Sequence, residues 1–225
     1  MIDWRQVDTV FLDMDGTLLD LHFDNHFWRE HVPRRFAEKH GITLEEAKEE
    51  LFPRFRRAEG TIDWYCVDYW SRELGLDIAL LKEEVDHLIA VHPHVTEFLD
   101  AARAAGKRVA LVTNAHGKAL RLKMERTRLG GHFDALHCAH DFGIPKEDPR
   151  FWGRLQEVEP FDPERTLLVD DSLSVLRSAR GYGLRWLLAV YRPDTRGPRR
   201  EVEEFDAIED FRDLMPVEPS VPAAS

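Results

Sequence analysis

The chain has 225 residues, enough to bury a full core and to hold one large domain or a domain with a sizeable insertion. Its 31 Lys and Arg against 42 Asp and Glu give a formal net charge of −11, which leaves no electrostatic footing for non-specific binding to nucleic acid or to an anionic membrane. Two distant cysteines, Cys66 and Cys138, no signal-peptide pattern at the N-terminus and no run of ~20 apolar residues lead us to expect a soluble, cytoplasmic protein.

The first element is the stretch 10–19, an apolar run of β-formers that ends in Asp13 and Asp15, one residue apart, and then Gly16. It reads as a buried strand whose carboxyl end opens into a polar turn, the place where open parallel sheets bind ligands. From 19 to 90 the spacing turns helical, and four helices are expected. Phe27, Val32, Phe36 and Ala37 line one, closed by His40-Gly41; Thr43 with Glu46 forms a capping box for a second that runs toward Phe55. Asp63 and Asp77 are candidate N-caps of two more, ending near Gly75 and before Pro93.

Helices and strands then alternate. A helix over 95–105, stopped by Gly106, precedes a strand over 108–113; a helix over 118–128 leads to a weak strand at 135–138. Asp148 and Pro149 open another helix, and strands follow at 166–170 and 186–190. This order predicts an α/β fold with right-handed crossovers and a parallel sheet: a Rossmann-like core from 1–18 and 91–215, with a helical cap, 19–90, inserted after the first strand. The proline-rich residues 216–225 are expected to be unstructured.

Four strand ends or nearby loops carry polar groups: Asp13 and Asp15, Thr113 and Asn114, Lys146, then Asp170 and Asp171. Any one of them alone reads as turn or capping chemistry, but three of the four groups directly follow buried strands, which turn chemistry does not explain. Together they fit phosphoryl transfer. Asp13 is the candidate nucleophile and Asp15 the general acid and base. Mg²⁺ would suit the clustered oxygen donors, with Asp13, Asp170 and the backbone carbonyl of Asp15 as ligands. Thr113, Asn114 and Lys146 are expected on the side of the phosphate away from the metal. In the cap, Phe23, Trp28, Trp64, Tyr65 and Trp70 are candidates for stacking a purine, and His22, Asn25 and His26 for bonding its edge; cap core packing is the competing reading for each aromatic. Two readings stand for His116: it faces the phosphate or caps a helix.

These motifs resemble the haloacid dehalogenase superfamily, which consists mostly of phosphohydrolases. Asp13-Met14-Asp15-Gly16-Thr17 is similar to its first motif, Thr113 to its second, Lys146 to its third and Asp170-Asp171 to its fourth. The resemblance implies a parallel-sheet core with a small helical cap, an aspartyl-phosphate on Asp13, and Mg²⁺. One departure is that Ser174 stands where many members have a second metal-associated aspartate, so that role falls to Asp171 or is missing. The patterns 13–28, 63–70 and 113–116 further resemble bacterial GMP/IMP nucleotidases, which implies a phosphomonoesterase acting on purine nucleoside 5′-monophosphates. The alternatives are a sugar-phosphate or phosphoglycolate phosphatase or a phosphomutase of the same fold. Behind these stand a dehalogenase, a phospho-signalling receiver and a non-catalytic binder of phosphorylated small molecules.

Overall fold

The computed structural model describes residues 2–221. Strands β1 (Thr9–Leu12), β2 (Arg108–Thr113), β3 (Ala135–Cys138), β4 (Thr166–Val169), β5 (Trp186–Val190) and β6 (Asp206–Ile208) form one parallel sheet in the order β3-β2-β1-β4-β5-β6. Val10 and Leu12 pack with Val109, Leu111 and Val169 on one face, and Phe11 with Ala110, Val112 and Leu168 on the other. Such unbroken apolar strands are what a sheet covered by helices on both faces requires. The strand order reverses at β1, so the carboxyl ends of β1 and β4 bound the crevice where open α/β sheets bind ligands. The sequence reading missed β6, because three residues, Asp-Ala-Ile, are too few to show a strand period.

Between β1 and β2 lie α1 (His22–His26), α2 (Val32–His40), α3 (Leu44–Ala58), α4 (Ile62–Tyr65), α5 (Val67–Leu74) and α6 (Ile78–Glu84), with a π-helical turn, Phe27–His31, joining α1 to α2. The capping box forms: Thr43 Oγ1 accepts from Glu46 N at 3.3 Å, and the Glu46 carboxylate accepts from Thr43 N at 2.8 Å. Asp77 caps α6 by accepting from Leu80 N at 3.1 Å. Asp63 caps nothing. It lies inside α4, and α5 starts instead from Cys66, because Trp70 Nε1 claims the Trp64 carbonyl (2.9 Å) and breaks the expected helix in two. These helices have their own core, with Phe27, Phe36, Leu51, Phe55, Trp70 and Ile78 among its members. The chain leaves and re-enters the sheet by adjacent linkers: Asp20 N donates to Ala90 O and His92 N to Leu18 O, both at 2.9 Å.

The remaining connections carry α7 (Val95–Ala104), α8 (Gly117–Thr127), α9 (Ala139–Phe142), α10 (Arg150–Val158) and α11 (Leu173–Tyr182). The expectation of an unstructured tail from Pro216 needs correction as far as Val221. Val217 packs on the core, Ser220 Oγ donates to Val7 O at 2.8 Å, and Val221 N donates to Arg5 O at 2.9 Å. Prolines stiffen the segment, so a few docking bonds suffice to lay it along the N-terminal residues. Residues 222–225 of that expected tail lie outside the described residues. Among the described residues no helix is long and apolar enough to cross a membrane.

Candidate active site

The turn after β1 is fixed by its own backbone. Asp13 N donates to Val169 O (3.0 Å), Gly16 N to Leu19 O (2.7 Å), and Leu18 N and Leu19 N both to Met14 O (3.0 and 2.8 Å). Gly16 has φ +85°, and a Cβ there would fall 2.6 Å from Asp171 Oδ2, so both the backbone sign and the close approach demand glycine. Asp13 thereby meets the ends of β2 and β4. Lys146 is 1% exposed and donates from Nζ to Asp13 Oδ1 (2.5 Å), Asp170 Oδ2 (2.7 Å) and Val112 O (2.9 Å). It therefore lies between the two carboxylates, where it supplies the cation that buried acids need at short range.

Asn114 anchors the loop of that lysine: its Oδ1 accepts from Lys146 N and its Nδ2 donates to Glu147 Oε2, both at 2.9 Å. Thr113, 1% exposed, accepts from Ala115 N at 3.0 Å. Asp171 N donates to Thr17 Oγ1 (3.1 Å), and the Asp171 carboxylate takes Arg200 at 3.2 Å. Asp13, Asp170 and Asp171 each offer a carboxylate oxygen, and these lie within 4.8 Å of one another. Ser174 instead pairs with Ser172 Oγ at 2.9 Å, so Asp171 is the third acid of the group. Three convergent hard oxygen donors lining a cleft fit Mg²⁺.

Burial pushes Asp13 up to about 6 against the pull of Lys146, and pushes Asp15 up to about 6 against the pull of Lys123. Burial also raises Asp171 well above the carboxylate range, with the charges of Asp13 and Asp170 adding to it. Asp24 goes the other way. Burial opposes its charge, but Lys123 and Lys82 outweigh burial and hold it at about 2.

The acids form the floor of a cleft of about 1040 Å³, large enough for a nucleotide-sized ligand. Asn25, Trp28, Phe52, Phe55, Trp64 and Tyr65 line its helical side. The Trp28 and Trp64 rings stack at 6.1 Å and 28°, and Tyr65 Oη donates to Glu147 Oε1 at 2.6 Å. His22 does not line this cleft; its Nδ1 faces Asp194 at 3.8 Å, on the face of α1 that it shares with Asn25, three residues on. His26 is likewise outside the lining, and Phe23 and Trp70 are buried in the helical core. Asn25 reaches the cleft while donating to Asp194 Oδ2 at 2.7 Å. His116 both lines the cleft and caps α8, accepting from Lys118 N at 3.3 Å.

Among the charged residues of the cleft that sequence reasoning missed are Asp24, Lys82, Lys123 and Arg200, which pair with one another or with the acids of the floor. For the lysines a signal existed, since Lys82 follows Ile78 by four residues and Lys123 follows Ala119 by four, each on a buried stripe.

The model of the haloacid dehalogenase-like hydrolases matches residues 7–183. The chain is 42% identical over 215 residues to the GMP/IMP nucleotidase YrfG of Escherichia coli (strain K12), covering 96% of this chain and 97% of that protein. It is 26% identical over 187 residues to the 6-phosphogluconate phosphatase of the same organism, covering 80% of each. A crystal structure of a HAD phosphatase from Thermococcus onnurineus superposes with a TM-score of 0.79 at 24% identity, covering 92% of this chain and 96% of that one, a likeness of fold.

Proposed function

The chain belongs to the haloacid dehalogenase-like hydrolases, and from that premise we propose that it is a Mg²⁺-dependent phosphomonoesterase of purine nucleoside 5′-monophosphates, GMP and IMP. The observation that carries the reading is the meeting of Asp13, Asp15, Lys146, Asp170 and Asp171 on the floor of a cleft whose other wall is aromatic. In the first step an Asp13 carboxylate oxygen attacks phosphorus and the bond from phosphorus to the 5′-oxygen breaks. The electron pair passes to that oxygen, which takes a proton from Asp15, and the nucleoside leaves. Water then attacks the aspartyl-phosphate, Asp15 takes the water proton, and the bond to Asp13 breaks to release inorganic phosphate. Asp15 ends protonated, ready for the next ester.

Asp13, Asp170 and Asp171 through carboxylates, and Asp15 through its backbone carbonyl, would hold Mg²⁺. When bound, the ion supplies positive charge to the non-bridging phosphate oxygens. Lys146 screens Asp13 and Asp170 from each other, and the Thr113 hydroxyl, which lines the cleft beside them, is the group offered to the phosphate from β2. Trp28 and Trp64 offer π-faces to a base from the aromatic wall of the cleft. The reading is supported by the relative's name and by this aromatic wall. The test is phosphate release from GMP, IMP, 6-phosphogluconate, phosphoglycolate and glucose 6-phosphate, with Mg²⁺ and with EDTA. We expect the purine nucleotides to lead, EDTA to stop turnover, and Asp13→Asn to abolish it. Equal or better turnover of the sugar phosphates would overturn the nucleotide reading, and turnover surviving in Asp13→Asn would overturn the mechanism.

A further inference from the structure

Asp15, the proton carrier of that reaction, is tied to the helical block through a single ammonium. Lys123 Nζ donates to Asp15 Oδ1 and to Asp24 Oδ2, each at 2.6 Å, and Lys82 Nζ donates to Asp24 Oδ1 at 2.9 Å. Asp15 and Lys123 come from the sheet unit, Asp24 and Lys82 from the helical block, so four charges of alternating sign cross the junction. Lys123 is 1% exposed and lies 5.0 Å from the Phe23 ring centroid; Lys82 is 4% exposed and lies 4.3 Å from that of Phe27. Ammonium groups so thoroughly removed from water keep their charge only beside carboxylates, so each lysine is committed to the acids it touches.

We propose that Lys123 is a positioning residue for Asp15, and that Asp24 holds Lys123 in place only while the helical block covers the sheet, so that Asp15 is aimed only in the closed arrangement. The proposal rests on the reading of Asp15 as the proton carrier. Lys123 engages Oδ1, and among the described residues no hydrogen bond ends on Oδ2. Oδ2 is therefore the oxygen left to give a proton to the leaving 5′-oxygen and later to take one from water. Without Lys123 the Asp15 carboxyl is free to turn about its side-chain bonds. Without the Asp24 charge, Lys123 is held by Asp15 alone and the link to the helical block is lost. A purely structural ion network would behave differently: its loss would lower the rate for every substrate alike.

The experiment measures kcat/KM, which reports steps up to the first irreversible one, for GMP and for p-nitrophenyl phosphate on the same preparations. The nucleoside leaves as an alkoxide that needs the proton, whereas nitrophenolate leaves without one. We expect Lys123→Met to lower kcat/KM for GMP about 100-fold, the low end of general-acid effects, and that for p-nitrophenyl phosphate less than about threefold. A burst of nitrophenolate, one per enzyme, should then appear as the second step slows. Lys123→Arg should restore part of the loss, and Asp24→Asn, which keeps the shape and removes the charge, should show a smaller loss of the same selectivity. Equal losses on both substrates, or none, in Lys123→Met and Asp24→Asn would overturn the proposal. Asp15→Asn separates the two levels. If it is selective while Lys123→Met is not, only the positioning role fails; if Asp15→Asn is itself unselective, the proton-carrier reading fails and the positioning role falls with it.

Discussion

Magnesium should stabilise this protein, and by more at alkaline pH than at acid pH. Asp13 is held at about 6 in the folded chain against an ordinary 3.8, chiefly by burial. A carboxyl whose folded value is raised holds its proton more tightly folded than unfolded, so its favourable contribution is complete below 3.8 and is lost as pH rises through 6. That loss is worth about 3 kcal/mol. The metal reverses it because the cation binds the ionised carboxylate. At a Mg²⁺ concentration 100 times Kd the gain is about 2.7 kcal/mol, or about 5–10 °C in Tm for a chain of this size. At pH 5 Asp13 is about nine-tenths protonated, the ion binds about tenfold more weakly, and the shift should shrink by about 3–6 °C. The assay is scanning calorimetry in EDTA and in MgCl₂ at pH 5 and pH 8. Surface acids paired with arginines, such as Asp148 and Glu204, titrate equally with and without the ion and cancel in the difference. A magnesium shift that is absent, or no larger at pH 8 than at pH 5, would refute the placing of the ion on these buried acids.

Gly16→Ala puts a Cβ 2.6 Å from Asp171 Oδ2 at φ +85°, so it should displace that carboxylate and weaken Mg²⁺ affinity at least about tenfold, while strain costs only ~1 kcal/mol of stability in EDTA. A calorimetric titration with MgCl₂ that gives the wild-type affinity would contradict the fit. Trp28→Ala removes one of the two stacked rings at the cleft wall and should raise KM for GMP about tenfold while leaving KM for ribose 5-phosphate within about twofold, in line with ~1–3 kcal/mol per stacked base. Parallel rises for both substrates would assign Trp28 to packing.

Residues that follow long apolar runs were legible in the sequence because the sheet is buried on both faces. Asp13, Thr113 and Asp170 each end or follow such a run, and the pattern that marks the strand also marks the residue. Lys82 and Lys123 show the limit. Their positions on apolar stripes are visible, but a lysine at such a place ordinarily lays its stem on the core and takes its ammonium to water. Only the fold brings Asp24 and Asp15, 58 and 108 residues away, close enough to keep those charges inside. His22 failed for a related reason: it shares a helix face with Asn25, and local spacing cannot show that Asp194 meets both and that only Asn25 reaches the cleft. The ordered end of the chain was hidden because its bonds run to residues more than 200 positions away.

The charges of the cleft floor also constrain how the block of helices can move. With Asp15 protonated and Asp171 ionised, as metal binding requires, the carboxylates of Asp13, Asp24, Asp170 and Asp171 are matched by Lys82, Lys123, Lys146 and Arg200. The protein's own groups thus offer a phosphate dianion no net attraction, and a chain of formal charge −11 offers none at long range. The two charges of Mg²⁺ are what a dianionic ester needs for the complex to be neutral. The helical block contributes Asp24 and Lys82 to this balance, one charge of each sign, already paired at 2.9 Å. Lifting that block for product release therefore separates no net charge. Its electrostatic cost falls on the Lys123–Asp24 contact, the link through which closure reaches Asp15.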